Sequence, residues 1–423
     1  MTGSAPPRLR QIRGVILRPR SDSAEFDIMT DGIMSIDETG TIQSLDTAGP
    51  DCQLPETRPG CVWLPGFVDT HIHFPQTRVI GSASGPLLQW LETSIFPEEA
   101  RFKSRAYAGA VATEFCTLMA AQGTTSAAIY SSSDATATDI LFHTMAFRGL
   151  RGWVGLTLMD RNAPDELLVE PDAAMESATA LVERWHGFDA GRLAFCVTPR
   201  FAISCSPALL RKAGRLAGKY DLPVQTHLSE NLKEIETVGQ LFPRHENYVH
   251  VYEDFGLLHS QSLLAHCIHL TDKNWDTLAH RGCAVSHCPD SNFFLGSGQM
   301  PLDEVRRRHI PWGLGTDVGA GRTFSLRKVI ASAYDTAMMT GAVVDAEALL
   351  WQATSGGAQA LGYGDRVGRL EPGFEADVVA VPLNEHLPRD RTLFDALVFR
   401  HDAGPVAATY VRGRMIYQVG APS

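Results

Sequence analysis

The chain has 423 residues, 44% of them apolar, and a formal net charge of -11. That length exceeds one ordinary domain and supplies ample material for a core. The negative charge argues against nucleic acid and against an anionic membrane as main partner, and no apolar run is long enough to span a bilayer.

The first residues, Met1 to Arg10, are small, polar and basic. They lack an apolar h-region and read as a frayed tail rather than a signal peptide. Residues 11–64 carry short alternating strands, among them Val15-Ile16-Leu17 and Ile33-Met34-Ser35-Ile36. Asp31-Gly32 and Thr39-Gly40 are turn signals. The middle of the chain alternates strand and helix patterns. Strand candidates end near His73, Tyr130, Asp160, Arg200, His227, His266, His287 and Asp317. Helical patterns lie between them, for example Ser206–Lys219 and Pro301–Ile310. The second opens on Asp303 and Glu304 and closes on Arg306, Arg307, Arg308 and His309, which suits the helix dipole at both ends. Eight βα units in about 300 residues predict an α/β fold, a (β/α)₈ TIM barrel.

The last 55 or so residues return to strand patterns. Ala376–Val381 and Ala407–Val411 are predicted strands, with a turn at Arg412-Gly413. Neither terminal piece is a convincing core alone. Together, residues 1–65 and 368–423 are expected to build one small β-sandwich beside a barrel spanning 66–367. The eight cysteines are scattered without a C-x-x-C pair. Cys196, Cys267 and Cys283 lie in apolar runs and read as buried thiols, which fits a reducing cytosol.

The chemistry concentrates at predicted strand ends, where barrel enzymes place their sites. His71 and His73 close the run Pro65–His73 at spacing i, i+2, so they share a strand face. His227 closes Leu222–His227, and Asp317 closes Ile310–Asp317. Three histidines and a carboxylate suit a hydrolytic Zn²⁺ or Fe²⁺ ion. Glu230 follows His227 by three residues, at the start of the loop over the mouth. A metal lowers the pKa of a bound water to roughly 7, and a carboxylate beside it can carry the proton. His266 closes Ser262–His266 and could orient the attacking water, or stand behind Asp317 as a partner.

The fourth strand ends Thr198-Pro199-Arg200-Phe201 and holds no lysine; Lys212 belongs to the following helix. A second metal in such a barrel needs a bridging group there, so a mononuclear site is expected. Arg200 brings five fixed donors, Phe201 an apolar face and Gln76 an amide. Around a metal they suit a flat heterocycle with carbonyl and ring nitrogens. His269 reads as a surface or loop residue and His287 as a partner behind the ligands. His143, His186, His245 and His386 read as surface or packing residues.

The segments Gly66–His73, His227–Glu230, Ser286–Asn292 and Thr316-Asp317 resemble the amidohydrolase superfamily, as does the return Gly368–Asp377. More specific are His71–Gln76, Leu87–Leu91 with Phe96-Pro97-Glu98, Thr198–Phe201 and Thr226–Asn231. These marks resemble the branch of that superfamily that deaminates guanine. The resemblance implies one zinc held by His71, His73, His227 and Asp317. It implies guanine bound by Gln76, Arg200 and Phe201, with Trp90, His73, His227, Glu230 and Asp317 also lining the substrate site. It implies Glu230 as proton shuttle, assisted by Asp317 and His266, in a cytoplasmic homodimer that breaks down guanine. Another aminated or halogenated heterocycle, such as 8-oxoguanine, a pterin or a triazine, is the nearest alternative substrate. A metal-free binding scaffold is the alternative from another class.

Overall fold

The computed structural model describes residues 8–382, 390–400 and 405–420. The chain opens with β1 (Gln11–Pro19), β2 (Phe26–Ile36), β3 (Ile42–Thr47) and β4 (Cys61–Pro65). The barrel strands follow: β5 (Phe67–His73), β6 (Thr124–Tyr130), β7 (Arg151–Gly155), β8 (Thr157–Leu158), β9 (Leu193–Phe195) and β10 (Thr198–Pro199). They continue through β11 (Val224–Leu228), β12 (Ser262–His266), β13 (Ala284–His287) and β14 (Trp312–Leu314). The chain ends on β15 (Val378–Pro382), β16 (Ala408–Val411) and β17 (Arg414–Gln418).

The barrel strands pair in parallel, β5-β6-β7-β9 and β11-β12-β13-β14. The third and fourth barrel strands each come in two pieces, with β8 paired to β10. Val197 bridges Val224 in parallel and joins the two halves on one side. On the other side, β14 is drawn against β5 by glycine. A Cβ on Gly313 would lie 2.4 Å from Thr70 Cγ2, and one on Gly315 would lie 2.7 Å from His71 Cβ. Only glycine permits that approach, and the Asp317 amide then donates to the His71 carbonyl (2.8 Å).

The two chain ends meet in one seven-stranded sheet of order β17-β16-β15-β4-β1-β2-β3. The expected sandwich therefore has a single continuous strand order. Period-two alternation gives the sheet two apolar faces. Val15, Leu17, Val62, Leu64, Val379 and Val381 join the main barrel core. Ile16, Trp63, Val378 and Ala380 turn to a second, smaller core with Ile12, Met34, Ile42 and Tyr410. Buried Arg151 at the start of β7 donates from Nε to Asp377 (3.0 Å) and also pairs with Glu375. The sheet is thus fastened to the barrel by charge as well as by packing.

Several local expectations change. Asp31-Gly32 is not a turn: β2 runs through it, Gly32 sits opposite Gly14, and Asp31 takes the Arg13 guanidinium at 2.9 Å. The tail expected at Met1–Arg10 is ordered at its end. Arg8 bridges Arg414, and the Leu9 amide donates to the Gly413 carbonyl (2.7 Å). Residues 1–7 and His386 lie outside the described residues. The helix over Ser206–Lys219 spans Pro207–Tyr220, capped by the Ser206 hydroxyl. The one over Pro301–Ile310 shortens to Leu302–Arg307, and Arg308 turns to pair with Asp272 and Asp276. The C-terminal part also holds a helix, Thr392–Phe399, where strands alone were expected. Its Leu397 carbonyl takes the Arg327 Nε–H, so it packs back on the barrel (2.7 Å). Among the described residues, no helix is long and apolar enough to cross a membrane.

Candidate active site

Strand ends on opposite sides of the barrel bring His71, His73, His227 and Asp317 together. His73 Nε2 lies 3.1 Å from His71 Nε2 and 3.3 Å from His227 Nε2. Asp317 Oδ1 lies 3.3 Å from His71 Nε2 and 3.2 Å from His73 Nε2. Two imidazole lone pairs facing each other at such distances repel unless a cation sits between them. Ligand atoms held about 2.0–2.1 Å from one centre at tetrahedral angles are about 3.3 Å apart. The donor set and its spacing therefore fit a divalent metal ion.

The surroundings prepare these ligands. Burial holds the His71 pKa down at about 4 and pushes that of His227 well below its ordinary value, so both rings are neutral. His227 Nδ1 lies 2.6 Å from the Arg200 carbonyl, which fixes that nitrogen as donor and leaves Nε2 as ligand. Burial opposes the Asp317 charge, but contacts with His71 and His73 outweigh it and hold its pKa well below the usual carboxylate range. Asp317 is not at the last residue of its strand; β14 stops at Leu314. It reaches the centre through a left-handed backbone (φ 49°), as does His266 (φ 70°). Such conformations cost about 1–3 kcal/mol each in a non-glycine residue and collect at functional sites. Asp69 steadies the segment by accepting from the Thr316 hydroxyl (2.5 Å) and amide (3.0 Å).

Above the ligands lies a pocket. His73, Gln76, Trp90, Arg200, Phe201, His227, Glu230, His266 and Asp317 all line it. His71 lies beneath, 1% exposed. Glu230 is buried, and that burial raises its pKa. It accepts from the Ser297 hydroxyl (2.8 Å) and stands 3.5 Å from His266 Nε2. His266 Nε2 is also 3.8 Å from Asp317. Burial disfavours the His266 cation, but the charges of Glu230 and Asp317 prevail and raise its pKa.

Arg200 proves to be in an ion pair as well as in the pocket. Its Nη1 is 2.6 Å from Glu99 Oε2, and both side chains are buried. Gln76 Nε2 donates to Glu99 Oε1 (3.2 Å), and Gln76 Oε1 accepts from the Gly319 amide (3.2 Å). Sequence reasoning gave Glu99 no role, because no local pattern sets it apart from an ordinary surface acid. It also gave Glu234 no role, although Asn231 and Glu234 have capping-box spacing. Glu234 accepts from the amides of Glu230 (2.9 Å) and Asn231 (3.1 Å) and fixes the loop that carries Glu230. His269 sits in a loop as expected, but its Nε2 meets the carbonyl of Ser297, the residue that binds Glu230 (2.8 Å). His287 does not stand behind the ligands. It is buried with its ring 6.3 Å from Trp312, neither ring nitrogen has a partner among the described residues, and burial takes its pKa to about 3. Lys212 faces outward and pairs with Asp172.

A metal-type cage at the mouth of a closed parallel barrel, with a flanking sheet from both chain ends, defines a metal-dependent hydrolase. The chain belongs to the amidohydrolase family, whose model matches residues 62–416. It is 37% identical to the guanine deaminase of Escherichia coli (strain K12) over 369 residues, 85% of this chain and 84% of that protein. It is 41% identical to a probable guanine deaminase of Deinococcus radiodurans over 368 residues, 83% of this chain and 82% of that protein. Among solved structures, guanine deaminase from C. acetobutylicum with guanine bound in its active site superposes with a TM-score of 0.89. That likeness carries 30% identity and covers 96% of this chain and 100% of the other.

Proposed function

We propose that this chain hydrolyses guanine to xanthine and ammonia, using one Zn²⁺ held by His71, His73, His227 and Asp317. One observation carries the reading: His73, His227 and Asp317, with His71 beneath them, line the same pocket as Gln76 and Arg200. When bound, the metal supplies Lewis-acid activation of the attacking water. Gln76 and Arg200 donate to the O6 and N7 side of the base, and Phe201 and Trp90 enclose its ring. That pose would set C2 beside His73, His227 and Asp317, which would hold the metal. Glu230 takes one proton from water and delivers it to N3. Asp317 takes the second and passes it to the departing amine, so water adds at C2 and ammonia leaves. His266 orients the water against Glu230 and Asp317. The similarity to the E. coli and D. radiodurans proteins supports this substrate.

A cytoplasmic homodimer, a barrel over 66–367 and a flanking domain from 1–65 and 368–423 complete the proposal. Fourth-strand residues Thr198, Pro199 and Arg200 offer no bridging ligand, which supports a single metal. The test is ammonia release from guanine, adenine, cytosine and 8-oxoguanine by zinc-loaded protein, with elemental analysis beside it. Guanine should be turned over far faster than adenine, with about one zinc per chain. Adenine turned over as fast as guanine, or two metals per active chain, contradicts the substrate or the mononuclear reading respectively.

A further inference from the structure

We infer that Glu99 is a positioning residue that sets the hydrogen-bond polarity of the base-recognition wall. The inference rests on the function proposed above and deepens it. Glu99 is 5% exposed at the end of a short helix, Phe96–Glu99, beside the pocket. Its two oxygens are divided between the two residues that face the substrate. Oε2 holds Arg200 Nη1 at 2.6 Å, and Oε1 accepts from Gln76 Nε2 at 3.2 Å.

The Gln76 amide is thereby held at both ends. Its Oε1 takes the Gly319 N–H at 3.2 Å. Turning the amide over would set an oxygen against the Glu99 carboxylate and an NH₂ against the Gly319 N–H. Both contacts would be repulsive, so Gln76 presents its remaining N–H to the pocket. Arg200 is held on the same side. The Phe96 ring lies 5.5 Å from the guanidinium carbon, so one short helix supplies both the face and the acid. Among the described residues, Arg200 Nε and Nη2 have no hydrogen-bond partner, which leaves them for substrate. The wall thus offers donors only, and it matches adjacent acceptors such as O6 and N7 of a purine.

Glu99 also neutralises Arg200. Without a counter-charge, a buried guanidinium favours anions. With one, the pocket favours a neutral base. The neighbouring Glu98 does neither, because its carboxylate bonds Arg101 (2.8 Å) and Tyr107.

The test compares E99Q, E99D and E98Q with the parental protein, each assayed for zinc content, melting temperature, kcat and KM on guanine, and inhibition by urate. Urate is a purine that is anionic at neutral pH. Parental turnover of guanine is established first, so failure of the functional proposal shows separately. In E99Q the new amide nitrogen faces the Gln76 amide nitrogen and the Arg200 charge is bare. KM should rise roughly 10–100-fold with kcat within about 5-fold, since the lost interaction is made in ground and transition states alike. Urate should gain at least about 10-fold in potency relative to guanine. E99D should restore KM part-way, and E98Q should keep parental kinetics. A KM in E99Q within about twofold of parental, or a loss confined to kcat, overturns the inference. If E99Q does not fold, E99D decides: a KM at least about threefold above parental supports it, and a parental KM overturns it.

Discussion

Asn292 Oδ1 lies 2.9 Å from His266 Nδ1. The amide oxygen makes that ring nitrogen the donor, so Nε2, which faces Glu230 and Asp317, is the nitrogen that gains and loses a proton. Residues that orient a histidine in this way commonly contribute roughly 10–100-fold. Asn292→Ala should therefore lower kcat on guanine by at least about 10-fold with KM little changed. Steady-state kinetics over a pH series checks this. A parental kcat and pH profile would show that the contact has no part in turnover.

Glu230→Gln should keep its metal and bind guanine, yet lose most turnover. The amide is nearly isosteric and can still take the Ser297 hydroxyl, but it cannot accept a proton from water. General acid–base groups contribute roughly 10²–10⁴-fold, and kcat should fall by that much. Near-parental kcat in this variant would remove Glu230 from the proton path.

Arg200→Ala should lower both kcat/KM and melting temperature. The pocket loses its donors, and Glu99 keeps a buried charge without its cation. Breaking a buried pair typically costs about 3–5 kcal/mol. The double variant Arg200→Ala with Glu99→Gln should regain much of the melting temperature and none of the activity. Calorimetry of the pair separates the two roles. Full stability in Arg200→Ala alone would argue that the ion pair bears no weight in the fold.

Glu234 gives a pH signature. Burial and the neighbouring Glu230 charge raise its pKa from 4.5 to about 7. The folded chain therefore holds this proton where an unfolded chain has lost it. Its stabilising contribution is complete below pH 4.5 and is lost as pH rises through 7. Glu234→Gln keeps an acceptor for the Glu230 and Asn231 amides, and its NH₂ can meet the Tyr248 hydroxyl that Glu234 Oε1 meets at 2.9 Å. The variant should gain at least about 2 °C on the parental protein between pH 5 and pH 8. Parallel melting curves across that range would place the Glu234 pKa near its ordinary value.

Residue type and period made much of the molecule readable. His71 and His73 show their common face in two-residue spacing, and strand-end placement marks His227, whereas Asp317 lies three residues beyond the end of its strand. What stayed hidden depends on contacts between distant segments. Glu99 reaches Arg200 across about a hundred positions, and nothing local tells a buried acid from a solvated one. Asp31-Gly32 has turn composition, but Arg13 opposite stabilises Asp31 in an extended ladder. His287 shares strand-end placement with His227 and His266, yet it is buried against Trp312 instead of among the ligands. The short left-handed steps at Asp317 and His266 left no sequence signal, because they are imposed by packing.

The sheet that joins the chain ends has a consequence for how the molecule is made. β4 pairs with β1 on one side and with β15 on the other. Roughly 300 residues of barrel separate β4 from β15, and at about 5–20 residues per second a ribosome needs about 15–60 s to supply them. During that interval Val62, Trp63 and Leu64 form an open edge, the kind of strand that recruits other chains. Nascent chains stalled before Val378 should therefore depend on holding chaperones more than completed ones, and the hazard ends when the strand Val378–Pro382 closes that edge.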